Sequence, residues 1–123
     1  MNTRVKILTG ADAAALLDKW RAAGFDIQIA AGWFDPLLAA SAEALAAWKR
    51  PGARLLVVLG DPPEAILAPR ARAEMVAALR AVDAVVPASE AAVAGLPAPD
   101  HSFDSDHQSL RDQFAGHVLQ RMS

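Results

Sequence analysis

Five consecutive apolar residues, Leu55-Leu-Val-Val-Leu59, lie between two breakers, Pro51-Gly52 before them and Gly60-Asp-Pro-Pro63 after them. A run this short with no polar alternation reads as a strand covered on both faces, the kind found in parallel sheets flanked by helices. Two weaker strands are expected around it, at Asp26–Ala30 and at Ala84–Val86, the latter starting as early as Asp83. The segments between them carry helical signals. Thr9 and Asp12 have capping-box-like spacing ahead of an alanine-rich run in which Ala13, Leu16, Leu17 and Trp20 share a face, and Gly24 is placed to stop it. Asp35 as N-cap and Pro36 in the first turn predict a second helix running to about Arg50. Pro69 opens a third, with Met75, Val76, Leu79 and Val82 facing inward. Alternation of strand and helix in this order predicts an α/β Rossmann-like three-layer fold: a parallel sheet, right-handed crossovers and helices on both faces.

After Pro87 the pattern weakens. Residues 89–105 are rich in Ala, Pro, Asp and Ser and read as turns, with one helical turn at 89–94. A final amphipathic helix is expected from about Asp106, with Leu110, Phe114, Val118 and Met122 in one stripe that must dock on the sheet or on a partner chain. The expectation is one domain over 1–123, with a β-α-β-α-β core and leading helix in 1–88 and a loop plus helix in 89–123.

Composition excludes several function classes. With no cysteine, the chain has no disulfide, thiolate zinc site or cysteine nucleophile. A net charge of -2 and the lack of any basic run argue against a nucleic-acid partner. No segment approaches the roughly 20 apolar residues of a membrane span, and Met1–Asp12 lacks the apolar stretch of a secretory signal. The expectation is a cytoplasmic protein with no membrane association.

In an open parallel sheet, ligands bind beyond the C-terminal strand ends. Three segments fall there: Ala30–Asp35, Leu59–Pro63 and Val86–Ser89. In the first, Gly32 lies between a strand and a helix start, where backbone N–H groups can receive a phosphate; as a bare pattern, one glycine in a strand-helix turn is usually just turn chemistry.

Three segments, Lys6-Ile-Leu8 ahead of a helix, Gly32-Trp-Phe-Asp35, and Arg72 through Val86, lie within Lys6 to Val86, about two-thirds of the chain. Together they resemble, in turn, the lead-in, the Gly-Cys-Phe-Asp and the third helix and strand of the nucleotidylyltransferase superfamily, in particular the bacterial heptose-phosphate adenylyltransferases and glycerol-phosphate cytidylyltransferases. The resemblance implies transfer of AMP or CMP from ATP or CTP, with Mg2+, onto a sugar or polyol phosphate. It implies a nucleotide pocket formed by Gly32, Trp33, Phe34, Asp35, Ser41 and Arg72, and a homodimer as the common assembly.

The departures bear on function. The family's His-x-Gly-His falls on Leu38-Ala39-Ala40-Ser41, so both histidines are gone, Ala40 stands for the glycine, and Leu38 offers no hydrogen bond. In the family those histidines bind the nucleotide phosphates and stabilise charge on the phosphoryl group, and catalysis of this kind is mostly positioning and electrostatics. The loop Asp61–Ala68 is short and carries no lysine, and no counterpart of the family's later Ser-Thr-Thr-like motif is convincing. Arg72 is the retained polar position, read either as a nucleotide contact or as a solvated first-turn arginine. Trp33 reads as a residue that fills the nucleotide site the resemblance implies, whereas Trp20 and Trp48 sit at core spacing. Asp100, His101, Asp104, Asp106 and His107 match no defined metal spacing and read as a solvated loop. No residue is assigned a catalytic role and no metal site is expected. The leading expectation is a catalytically degenerate binding or interaction module. The alternatives are an active nucleotidyltransferase with a rearranged site and a ligand-free structural or regulatory partner.

Overall fold

A computed structural model of the chain describes residues 6–35, 37 and 39–103. Helices and strands alternate along it as α1 (Gly10–Ala22), β1 (Ile27–Gly32), α2 (Ala39–Trp48), β2 (Arg54–Leu59), α3 (Pro69–Ala77), β3 (Ala84–Pro87), α4 (Ala88–Val93) and β4 (His101–Ser102). The four strands form one sheet in the order β3-β2-β1-β4, and every pairing is parallel. On the outer side of β3, Ile7 makes a parallel bridge to Val85, and the Leu8 amide donates to the Val85 carbonyl at 2.8 Å. The fold is α/β and Rossmann-like, as the alternation of signals implies.

The apolar run of β2 explains why both faces are covered. Successive side chains of a strand point to opposite faces. Leu55, Val57 and Leu59 pack with Leu45 of α2 and with Ala73, Val76 and Ala77 of α3. Leu56 and Val58 pack on the other face with Ala13, Leu17 and Trp20 of α1 and with Ala91 of α4. Full burial of each such Leu or Val contributes about 1.5–3 kcal/mol. Among the described residues no helix is long and apolar enough to cross a membrane.

The helix starts follow their capping chemistry unevenly. Thr9 caps α1, its Oγ1 accepting from the Asp12 amide at 3.2 Å, and Gly24 supplies the left-handed φ of 80° just past the helix end. Asp35 does not cap α2. The helix opens only at Ala39 and ends at Trp48 rather than Arg50, because the Asp35 carboxylate is engaged elsewhere, as described below. Met75 is also corrected: it is 37% exposed. Helix α3 ends at Ala77, so its inward face is Arg72, Ala73, Val76 and Ala77, while Val82 is buried in the turn leading to β3. Residues 88–93 form α4, and the segment read as turns also contains β4, which pairs with Ala30 and Ala31. The helix expected from Asp106 lies outside the described residues.

Carboxylates and one amide close the strand entries. Asp83 Oδ2 accepts from the Leu55 amide at 2.8 Å, and Asp100 Oδ2 accepts from the Ile29 amide at 2.7 Å. Buried Gln28 donates to the Trp48 carbonyl and accepts from the Arg50 amide, joining β1 to the end of α2. Arg50 then donates through Nε and Nη2 to both oxygens of Asp26, at 2.6 and 2.8 Å. That hydrogen-bonded guanidinium holds the Asp26 carboxyl below the ordinary aspartate range and raises Arg50 above its own.

Two outcomes are expected. A folded-state pKa that is depressed contributes stability above the unfolded value, and that contribution is lost as pH falls through the folded one. In a carbon-detected NMR titration Asp26 should therefore titrate below the ordinary aspartate value, and Arg50→Gln should raise its pKa toward that value. Gly10 is the second case. A Cβ there would meet the Glu90 carbonyl oxygen at 2.3 Å and Ala94 Cβ at 3.0 Å. Overpacking costs about 1–3 kcal/mol, more than the helix-propensity gain of alanine over glycine, which is at most about 1 kcal/mol. Gly10→Ala should lower the unfolding free energy by about 1–2 kcal/mol in urea.

Candidate functional site

The strand order places the change of winding direction between β1 and β4, where an open α/β sheet takes its ligand. The chain leaves β1 there as Gly32-Trp-Phe-Asp35. Gly32 is the last residue of β1, and its carbonyl accepts from the Gly60 amide at 3.0 Å, which keeps the ends of β1 and β2 together. Phe34 follows with a φ of 50°, in the left-handed region that costs a non-glycine residue about 1–2 kcal/mol. The turn is offset by what it buries. Phe34 is fully buried, with its ring centroid 6.5 Å from that of Phe103, and Asp35 is only 1% exposed.

Asp35 is spent on the loop after β2. Its two carboxylate oxygens accept from the Ile66 and Leu67 amides, both at 2.7 Å. Arg72 is spent on the same region. It is completely buried, so the reading of a solvated first-turn arginine is corrected. Its Nε donates to the Leu67 carbonyl at 3.3 Å. Its Nη1 donates to the carbonyls of Gly60 at 2.6 Å and Trp33 at 3.3 Å. Its Nη2 donates to Asp61 Oδ1 at 2.8 Å. Leu67 is thus held on both sides of its Cα, its N–H by the buried Asp35 carboxylate and its C=O by the buried Arg72 guanidinium. Charged hydrogen bonds of this kind are worth about 1.5–3 kcal/mol each.

The other expected site residues are placed as follows. Trp33 is partly buried, and its indole packs so closely that a Cβ on Gly60 would lie 3.2 Å from its Cδ1. Ser41 is buried in the first turn of α2, whereas Ala40 beside it is exposed. Leu38 lies outside the described residues. Gly32 does not sit at a helix N-terminus, since α2 opens at Ala39. The structure therefore joins Gly32, Trp33, Phe34, Asp35 and Arg72 around the ends of β1 and β2, directed into the chain's own backbone.

Asp35 accepts two amides here, and among the described residues no group of three His, Asp or Glu side chains could hold a metal ion. Asp100 caps β1, and His101 stacks edge-on to Phe103 at 4.5 Å and near Trp48 at 5.8 Å. Asp104, Asp106 and His107 lie outside the described residues.

Sequence reasoning did not find Asp61 as the partner of Arg72, nor Asp35 as the staple of residues 66–67. No periodicity marks either contact, since both join loops from different strands. Compared with protein-family models, with curated proteins and with solved structures, the chain gives no match. What fold and site define together is a Rossmann-like α/β chain whose charged residues at the strand ends are used internally.

Removing the Arg72 guanidinium leaves three backbone carbonyls without their donor, and at about 1–3 kcal/mol for each unsatisfied acceptor the loss is at least about 3 kcal/mol. Arg72→Met should lose that much in urea unfolding. Arg72→Lys should lose most of it, because an ammonium cannot reproduce the planar fork that reaches three carbonyls. Asp35→Asn should cost about 2 kcal/mol, since one of its two acceptors becomes a donor facing an N–H group.

Proposed function

We propose that the chain is a catalytically degenerate relative of the nucleotidylyltransferases that serves as a binding or interaction module and does not transfer nucleotides. The reading rests on the resemblance carried by Gly32–Asp35 and Arg72–Val86 and on the strand order that brings the β1 loop to the ligand-binding crevice. One observation carries the loss of catalysis. Asp35 and Arg72, the two charged residues expected in the nucleotide pocket, are buried and hydrogen-bonded to the chain's own backbone. Nucleotidyl transfer needs preorganised donors aimed at the charge developing on phosphate. Here the donors of Arg72 aim at carbonyls, and Ser41 offers a neutral hydroxyl in place of a histidine. Binding on this reading is to a nucleotide, to a sugar or polyol phosphate, or to a second copy of the chain.

The test combines a transfer assay with thermal unfolding. The purified protein is given ATP or CTP, Mg2+ and a panel of sugar and polyol phosphates, and pyrophosphate release is followed. No turnover is expected, and turnover above the uncatalysed rate would overturn the proposal in favour of a rearranged active transferase. Ligand at about a hundred times its dissociation constant stabilises a fold by about 2.7 kcal/mol, a shift of several degrees for a chain of this size. Such a shift makes the module a nucleotide binder; no shift, together with sedimentation as a dimer, makes it an interaction module.

A further inference from the structure

The opposite end of the sheet, where the strands begin, holds a cleft that shares no residue with the β1 loop. A cavity of about 500 Å³ lies between α1, the segment from Lys6 to Leu8 and the entries of β2 and β3. That volume falls within the range of small-molecule sites, about 300–1,000 Å³. Leu8, Leu16 and Trp20 give the cleft an apolar wall. Lys6, Asp12, Lys19, Arg54 and Asp83 give it charge.

Arg54 is the unsatisfied group in that wall. One face of its guanidinium lies over Phe25, with the central carbon 4.1 Å from the ring centroid. Its ion pair with Asp83 spans 3.7 Å from Nη1 to Oδ1, longer than a hydrogen bond. The other oxygen of that carboxylate accepts from the Leu55 amide. Arg54 Nε is shut off from solvent and, among the described residues, has no acceptor. A buried donor without a partner is costly, and more so on a charged group. The Arg54 side chain as a whole is 39% exposed, so an anion in the cleft can reach the guanidinium.

We propose that this cleft binds a small organic carboxylate with an apolar body. The two carboxylate oxygens accept from Nε and Nη2 of Arg54, and the apolar body lies on Trp20 and Leu16. The guanidinium rests on a ring face and a loose ion pair, so a turn of it brings the Nε–Nη2 edge into the cleft. Two features select this class. The planar N–H fork of arginine matches a carboxylate in a bidentate fit. Three cations against two carboxylates leave the lining at +1, which a monoanion offsets, whereas the second charge of a dianion would face Asp12 and Asp83. The ligand gives Nε–H the acceptor it lacks and covers the apolar wall, so affinity depends on both halves of the molecule.

The test is a titration with benzoate at neutral pH and constant ionic strength, with the Arg54 Nε–Hε, Trp20 indole N–H and Ala15 amide signals followed by NMR. Benzyl alcohol keeps the ring without the charge, and acetate keeps the charge without the ring. Benzoate should bind saturably, with all three signals on one isotherm, and at least about tenfold more tightly than either fragment, as one charge-assisted hydrogen bond implies. Arg54→Met should lose about tenfold or more of that affinity. Arg80→Met, which removes the same charge from an exposed position outside the cleft, should bind as the wild type does. The comparison of the three ligands on the wild type decides the matter even if Arg54→Met does not fold. No saturable binding of benzoate, equal affinity for benzyl alcohol or acetate, unchanged affinity in Arg54→Met, an equal loss in Arg80→Met, or a Trp20 signal that stays fixed would each overturn the proposal. Absence of nucleotide binding or transfer leaves it standing, because the two sites lie at opposite ends of the sheet.

Discussion

A parallel strand with apolar side chains on both faces cannot be left half exposed, and β2 imposes that condition on the whole chain. Leu55, Val57 and Leu59 require α2 and α3 on one face; Leu56 and Val58 require α1 and α4 on the other. Parallel neighbours then need long crossovers, and those crossovers are the helices that supply the cover. The arrangement gathers the three loops that follow β1, β2 and β3 at one end of the sheet. There the backbone groups lose their ladder partners and must find others.

The partners are charges. Asp35 satisfies two amides of the β2 loop, and Arg72 satisfies carbonyls at the end of β1 and in the β2 loop. Ion pairs at a surface contribute little, whereas a buried guanidinium with its donors filled rigidifies its surroundings and is costly to break. The residues that resemble a nucleotide pocket are the ties of a closed strand end. That use of them supports the proposed lack of transfer chemistry. The one side chain bonded to Arg72, Asp61, stays largely open to solvent.

Much of the fold was legible in the sequence, and the reasons are local. The β2 run, the Thr9 cap, the Gly24 stop and Pro69 at the start of α3 each depend on a few neighbouring residues. The failures share one cause. Asp35 next to Pro36 has the chemistry of a helix cap, but amides of residues far along the chain compete for its carboxylate and win. Met75 lies within α3 but off its buried face, which is Arg72, Ala73, Val76 and Ala77. Beyond Pro87 the two residues of β4 are too few for any periodicity; they are held by pairing with β1, by the Asp100 bond to Ile29 and by the packing of Phe103.

The sequence by itself determined the alternation of strand and helix, the parallel sheet with both faces covered, and the absence of cysteine chemistry. Those properties follow from side-chain periodicity and residue type, which act over a few residues. Tertiary structure alone decided that Arg72 is buried, that Asp35 staples a distant loop, and that Asp61 pairs with Arg72. Each depends on which loops the sheet order brings together and on which backbone groups are left there without partners. No local pattern carries that information.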